Sequence, residues 1–580
     1  MTENTNPPAH ELYSSHVEGV EGSKVAPRLW GDIPTTMREA HRLLLKKRGE
    51  YGAAPDALEE LKREMKGNLR RMGVLTSKVE EGIDRMDGGV VETGQQPYCL
   101  GGSSLILNKI AYIHSLSELC DGDLTPLFYV ADYDGVQPEL LNTRLPSPSP
   151  RGLLITYPTG PEETDVPIYR VPNPDEDWLR STLERIEGSY KGILGDVDGG
   201  VRSRTLLNLA HCFTVLRNSY HSTENVSDWS TKTIGSVVNL ESDLGVPIYP
   251  FSMPGTRRLF QGGYELLLAE SNRSRFVEAS NDACGLVEDS GYRSQIGRRS
   301  EDYVPFFLEC PTPGCKGRRV ELKYRRDPGS ASASVSGKCP RCGEVHEFSF
   351  DASSPDLTEI VGMISPRVDS RQVIVDSVIP VLAHVGGPGE TSYYAEVIPA
   401  AKALGIPFPV YLRYNRTFYN TPWNAALAER IRERSHPTIA GEGLFSALSG
   451  WVDARNAGDG EKLRGAHSDI KGSIEASYSG LLNALQSLQS EIDSIKRRLS
   501  ESGDRQPLIA EMRGKQDEAR LIEHYLSMAF GRFSPEKFGQ EVNWAWLDLA
   551  AASGLGDVMG VFLREYNENT PNSSMFYINL

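Results

Sequence analysis

Apolar positions in this chain recur at two spacings, and the switches between them outline the architecture. Residues 36–48, 56–71 and 75–86 place apolar side chains every three or four positions, which predicts helices with one buried face. The middle one, DALEELKREMKGNLRRM, mixes its charges like a solvated outer surface. Residues 89–92 read as a short strand and 126–131 as an unbroken apolar one. Between them, 103–119 is a helix carrying Leu105, Ile106, Ile110, Ile113 and Leu116. Strand, helix, strand predicts a βαβ unit with parallel strands. The texture returns late: strands over 358–363, 378–384 and 409–413, and a helix over 391–404 that Gly405 stops. The expected fold class is α/β, with a Rossmann-like parallel sheet core assembled from two separated stretches, 35–145 and 353–455.

What lies outside those stretches has a different texture. Residues 1–34 lack a periodic apolar pattern and are expected to be disordered or loosely packed. Pro146, Pro148 and Pro150 make a stiff linker. Helical patterns over 176–190, 203–223 and 258–280 then predict a mainly helical insertion, 146–300, and a smaller insertion occupies 301–352. The C-terminal stretch, 456–580, is expected to be helical. Ile474, Tyr478, Leu481, Leu485, Leu488, Ile492, Ile495 and Leu499 follow spacings of four and three, the seam of a coiled coil. Gly503 and Pro507 break it, and a second helix with Leu508, Met512, Ala519, Ile522 and Leu526 follows. This predicts an antiparallel coiled-coil arm, either intramolecular alone or with apolar flanks that also make a homodimer.

Composition narrows the function classes. The formal net charge of −16, from 62 basic and 78 acidic residues, disfavours a broad grip on nucleic acid. No run approaches 18 consecutive apolar residues, so no membrane span is expected, and the polar N-terminus reads as no signal region. Four of the eight cysteines are scattered and four are clustered, which fits a reducing, cytoplasmic compartment with one metal site. The cluster is C-x4-C and C-x2-C with 23 residues between: Cys310, Cys315, Cys339 and Cys342. Two tight knuckles flanked by alternating strands predict a zinc ribbon. Four thiolates close the coordination shell, so the expected zinc is structural, with redox cysteines or an Fe–S site as the alternatives; His346 is a spare polar residue.

Two loops carry the candidate chemistry. One is Thr93-Gly94-Gln95-Gln96, followed by Gly101-Gly102 and a helix bearing Lys109. The other is His384-Val385-Gly386-Gly387-Pro388-Gly389-Glu390, a strand end running into a helix whose start suits an anionic group. In a doubly wound sheet, loops at the strands' carboxyl ends meet where strand order reverses. That would bring Gln95, Gln96, Asp132, Asp134, His384 and Glu390 to one cleft. Asp132 and Asp134 are candidates to bind Mg²⁺, to orient an amine or simply to cap a turn. His384 is a candidate acid or base, or a structural hydrogen-bonder.

These segments, TGQQPYCLGG with Lys109, FYVADYD, and SPRVDSRQVIVDSVIPVLAHVGGPGETSYYAE, together resemble the bacillithiol biosynthesis cysteine-adding enzyme family. Residue by residue, the resemblance covers Thr93, Gly94, Gln95, Gln96, Gly102, Lys109, Asp132, Asp134, Ser365, Pro366, Gly386, Gly387, Pro388, Glu390 and Tyr393. It implies a core like that of class I aminoacyl-tRNA synthetases, with two connective insertions and a coiled-coil arm. It also implies a ligase joining cysteine, or another amino acid, to a sugar-linked acid such as glucosaminyl malate. Such an amide needs an activated carboxyl, so ATP or another nucleotide is expected, with Lys109 on a phosphate. Ser103, Ala131 and Tyr133 depart from the family pattern, and the zinc ribbon is not part of its core. The alternatives are a synthetase-like enzyme acting on tRNA or another carrier, for which no HIGH-type or KMSKS-type signature is present, and a non-catalytic dimeric scaffold.

Overall fold

The apolar strands lie side by side in one parallel sheet. The computed structural model describes residues 6–19, 23–50, 54–160, 163, 165–327, 329–438, 454, 460–501, 505–530 and 540–580. We number the strands of the main sheet β1 (Val90–Gln95), β2 (Thr125–Val130), β3 (Ile248–Pro250), β4 (Val381–Gly386) and β5 (Val410–Arg413). Their order is β5-β4-β1-β2-β3 and every pairing is parallel. Both faces are covered, so β2 and β4 are buried at every position and read as continuous apolar runs. Helix α1 (Leu105–Leu119) crosses from β1 to β2, and α2 (Pro388–Ala403) from β4 to β5. The chain leaves β1 toward one edge and β4 toward the other. The crevice between the carboxyl ends of β1 and β4 is therefore the switch point of the sheet.

Several sequence expectations change. The region 146–300 is not wholly an insertion, because its strand Ile248–Pro250 completes the main sheet beside β2; three residues are too few to show a period. The strand expected at 358–363 is instead a short 3-10 turn, Val361–Met363, before the strand Ile364–Pro366, which pairs antiparallel with Phe306–Glu309. The N-terminal segment is packed in its described part. Helices His10–Val17 and Ala26–Trp30 bury Leu12, Tyr13, Leu29 and Trp30. Tyr13 donates to Tyr411 O (3.2 Å) and the Trp30 indole to Thr391 O (3.0 Å), so this segment braces α2. A few large side chains anchor it without any repeat.

The C-terminal helices α3 (Gly460–Glu501) and α4 (Gln506–Phe530) run antiparallel, with Lys515 paired to Glu491 (2.6 Å) and Arg498 to Glu511 (3.6 Å). The seam residues Ile474, Leu481, Leu488, Ile492 and Ile495 are buried. The last residues are not all helical: Met575–Asn579 is a strand parallel to Arg416–Asn420, which ties the tail to the core. Among the described residues no single helix is long and apolar enough to cross a membrane.

Asp548 sits in this C-terminal packing. Burial pushes its carboxyl from 3.8 up to about 7, against the hydrogen bond from Tyr190 (2.8 Å). The folded chain then holds a proton that the unfolded chain has lost, so this group's contribution falls as pH rises from about 4 to about 7, by up to about 1.4 kcal/mol per pH unit. Urea unfolding of Asp548→Asn between pH 5 and 8 is expected to show a shallower fall than the wild type. An unchanged slope would remove Asp548 from the account.

Candidate active site

Register places the first pair. Glu92 on β1 and His384 on β4 are direct partners across the parallel ladder, so their side chains share a face. Neither is exposed (0% each), and the His384 Nδ1–H donates to Glu92 Oε1 at 3.0 Å. A carboxylate in a strand buried on both sides needs a cation, and Arg371, from the helix Arg371–Asp376, supplies it at 3.0 Å. Arg371 also donates to the Tyr394 hydroxyl (2.9 Å), which donates to Gln372 (2.9 Å). The Tyr394 ring stacks on His384, centroids 5.0 Å apart. Burial pushes the Glu92 carboxyl up, but the His384 bond and the Arg371 charge outweigh it and hold it below the usual range.

Glu390 makes the next link. It is the third residue of α2, and its Oε2 accepts the Gly387 N–H (2.8 Å), capping the helix with the chain's own carboxylate. Lys109 of α1 lies 2.5 Å from the same oxygen, and His384 Nε2 lies 3.5 Å from the other. Burial pushes Glu390 up, while Lys109 and then His384 hold its carboxyl well below the carboxylate range. Lys109 also donates to Gly94 O (2.9 Å) and Gln95 Oε1 (3.1 Å). An ammonium has three N–H groups and all three are used here, so Lys109 positions its neighbours.

From Gln95 the network runs outward. Its amide donates to Gln96 Oε1 (3.1 Å) and Tyr98 Oη (2.9 Å), and the Gln96 amide donates to Asp134 Oδ2 (3.1 Å). Arg319 donates to the other Asp134 oxygen at 3.2 Å. Gln95, Gln96, Asp134, His384 and Glu390 are thus joined, through Lys109, in one hydrogen-bonded chain at the switch point. Gln95, Gln96, Asp134 and Glu390 are its partly exposed members.

The remaining predicted residues do other things. Asp132 turns away from Asp134: its carboxylate accepts the Ser252 N–H (2.9 Å) and the Ser227 hydroxyl (3.1 Å), and burial pushes it up to about 6 against those bonds. The two aspartates therefore do not face each other as a Mg²⁺ pair; Asp132 holds the β2–β3 side together. Thr93 donates to Val385 O (2.7 Å) between strands. Gly94 lies against Tyr129, where a Cβ would stand 3.1 Å from the carbonyl oxygen. A Cβ on Gly386 would strike the Tyr411 hydroxyl, and one on Gly387 would crowd the Tyr414 ring. These glycines admit the chain's own side chains where the sequence suggests a ligand. Gly102 (φ +84°) packs on Tyr98 and Ile106 and accepts the Trp546 N–H at 3.1 Å, so the C-terminal region covers the start of α1. Cys99 is buried and its thiol is pushed up by that burial, which keeps it a thiol.

Sequence reasoning misses Glu92, Arg371 and Arg319. The signal was present for the first: a lone glutamate in the apolar run VVETG must be paired if the strand is buried. A separate cavity of about 780 Å³ borders the start of α2, with Pro388, Gly389, Arg413, Arg416 and Lys471 in its wall. Burial, then the charge of Arg416, pushes the Arg413 guanidinium down to about 10. None of Gln95, Lys109, His384 and Glu390 lines this cavity.

The four-cysteine group stands apart. The sulfurs of Cys310, Cys315, Cys339 and Cys342 lie within 4.8 Å of one another, and this is the one such metal-competent cluster among the described residues. The sequence-expected ribbon strands appear at Arg319–Glu321, Lys323–Arg326 and Val345–Asp351, with a further strand at Ser332–Lys338.

Comparison with known proteins finds similarity in the same core. The family model described as "Bacillithiol biosynthesis BshC, N-terminal Rossmann-like domain" matches residues 345–414, which hold β4, α2 and β5. Proteins named "Putative cysteine ligase BshC" align along much of the chain. The one from Carboxydothermus hydrogenoformans is 23% identical over 433 residues, covering 73% of this chain and 72% of its own. The one from Desulforamulus reducens is 23% identical over 451 residues, covering 73% and 75%. A Bacillus cereus relative is 22% identical over 333 residues, covering 55% and 53%. Matched in one stretch of its Rossmann-like core and aligned over about three quarters of its length, the chain is similar to the BshC proteins of bacillithiol biosynthesis.

Proposed function

We propose that this protein is a ligase that joins the carboxyl group of cysteine to the amine of a sugar-linked acid, glucosaminyl malate, with ATP activating the carboxyl. The observation that carries this reading is the His384 ring held between two carboxylates at the switch point of the sheet. In amide formation the amine loses a proton as it attacks, and the activated carboxyl loses its leaving group. Nδ1 of His384 is committed to Glu92. Nε2 lies between Arg371 (3.4 Å), which only donates, and Glu390 (3.5 Å), which as a carboxylate only accepts. That nitrogen therefore has a matched neighbour with or without a proton. Glu390, held ionised by Lys109, stands between His384 and the cleft, where Gln95 and Gln96 are partly exposed to the substrates. The strand-end position suits a nucleotide, as it does in synthetase-like cores.

The purified protein, given cysteine, glucosaminyl malate and ATP, is expected to form a product with the mass of the two substrates less one water. His384→Gln is expected to lower that rate about 100-fold or more while the chain stays folded. No product from the wild type would overturn the reading.

A further inference from the structure

Two of the four cysteines lie at the end of a hairpin that reaches the cleft, and the other two at the turn between the strands Ser332–Lys338 and Val345–Asp351. Cys310 follows the strand Phe306–Glu309, and Cys315 stands just before the strand Arg319–Glu321. The Cys310 N–H donates to Arg318 O (2.9 Å) and the Arg318 N–H to Cys315 O (3.0 Å), so the knuckle closes directly beside Arg319. Cys310 and Cys342 sulfurs are 3.9 Å apart, and Cys315 and Cys339 sulfurs 3.8 Å. A disulfide would bring a pair to about 2.05 Å. Corners of a tetrahedron with metal–sulfur bonds of about 2.3 Å stand about 3.8 Å apart, which is the spacing seen. His346 Nε2 lies 3.5 Å from the Cys310 sulfur, placed to support a thiolate from outside the ligand set.

What the hairpin end touches gives this site a consequence. Arg319 places one guanidinium nitrogen on Asp134 (3.2 Å) and the other on Pro366 O (3.3 Å), and its backbone N–H on Asp165 O (3.3 Å). Its guanidinium lies 4.0 Å from the Phe307 ring centre. Glu309, on the other flank of the knuckle, pairs with Arg257 (2.7 Å) and accepts the Tyr169 hydroxyl (2.6 Å). The Tyr169 N–H in turn donates to Asp132 O at 3.1 Å. Both flanks thus hold the loop after β2, and Asp134 on that loop holds Gln96.

We propose that Cys310, Cys315, Cys339 and Cys342 bind one Zn²⁺ that fixes the cleft as well as the ribbon, with Arg319 as the positioning residue that passes the constraint to Asp134 and Gln96. This rests on the reading that the cleft is the site, but its test needs no turnover, so either can fail alone. Metal analysis of the full chain is expected to give about one zinc per chain. Hydrogen exchange is then compared between zinc-loaded and chelator-stripped protein. Stripping speeds exchange within 306–351, and also in peptides spanning 94–98 and 132–136. Arg319→Gln, with its zinc retained, speeds the 94–98 and 132–136 peptides about tenfold and leaves the ribbon protected, as loss of one charge-assisted hydrogen bond requires. Should stripping unfold the chain, the zinc-loaded Arg319→Gln comparison decides. Absence of zinc, or unchanged exchange at 94–98 and 132–136 in that variant, overturns the proposal.

Discussion

Lys109→Met is expected to destabilise the chain by about 3–5 kcal/mol and to abolish product formation, the largest effect of any single change in the cleft. The side chain is 2% exposed and is the cation nearest Glu390. Without it, burial acts on Glu390 opposed mainly by His384, and the carboxyl rises. The sign of the pH effect follows. In the wild type Glu390 is held down, so its contribution is present above the usual carboxylate range and lost as pH falls through the folded value. In Lys109→Met that contribution is gone, and the variant is worst at neutral pH, where Glu390 pays to stay charged. Adding Glu390→Gln recovers part of the stability by removing the stranded charge. Lys109→Arg does not restore function, because a planar guanidinium cannot reach Gly94 O, Gln95 and Glu390 from one nitrogen. Chemical unfolding at pH 5 and 7.5 measures these effects. An unchanged stability in Lys109→Met would show that the ammonium is not the keystone of the network.

Arg371→Met is the second large effect, again about 3–5 kcal/mol, because Glu92 keeps no full cation beside it. Here the loss is deeper in the sheet: Glu92 is unexposed and its second oxygen has no protein partner. Arg371 also orients Tyr394 against the imidazole, so the variant loses both the charge and the stack that fix the ring. Replacing the pair together, Glu92→Leu with Arg371→Met, is expected to be more stable than Arg371→Met alone, since an apolar pair leaves no stranded charge. Equal stabilities of the single and double variants would contradict the pairing. Thermal unfolding of the three proteins decides it.

The strands and helices of the core are legible in the sequence because burial on both faces turns each strand into an apolar run, and glycine or proline marks its end. β1, β2, β4, β5, α1 and α2 appear within about three residues of the pattern's bounds, the usual uncertainty of such ends. β3 is hidden because three residues cannot show a period. The N-terminal helices are hidden because Tyr13 and Trp30 act as single anchors. The loops' convergence could be reasoned from topology, since it needs only strand order and direction. Their electrostatics could not: that Lys109 spends all its donors on the chain, or that Asp132 and Asp134 diverge, depends on side-chain directions after adjacent residues. The glycines show the same limit. A glycine loop at a strand end signals close approach, and only coordinates reveal that Tyr411 and Tyr414 are what approach.

Crystals soaked with cysteine and a slowly hydrolysed ATP analogue give the most direct test of the convergent cleft as the reacting centre. The expected result is ordered density within hydrogen-bonding reach of Gln95, Gln96 and Glu390, at the carboxyl ends of β1 and β4. Ordered ligand only in the cavity of about 780 Å³ walled by Arg413 and Arg416, with none beside Glu390, would contradict it.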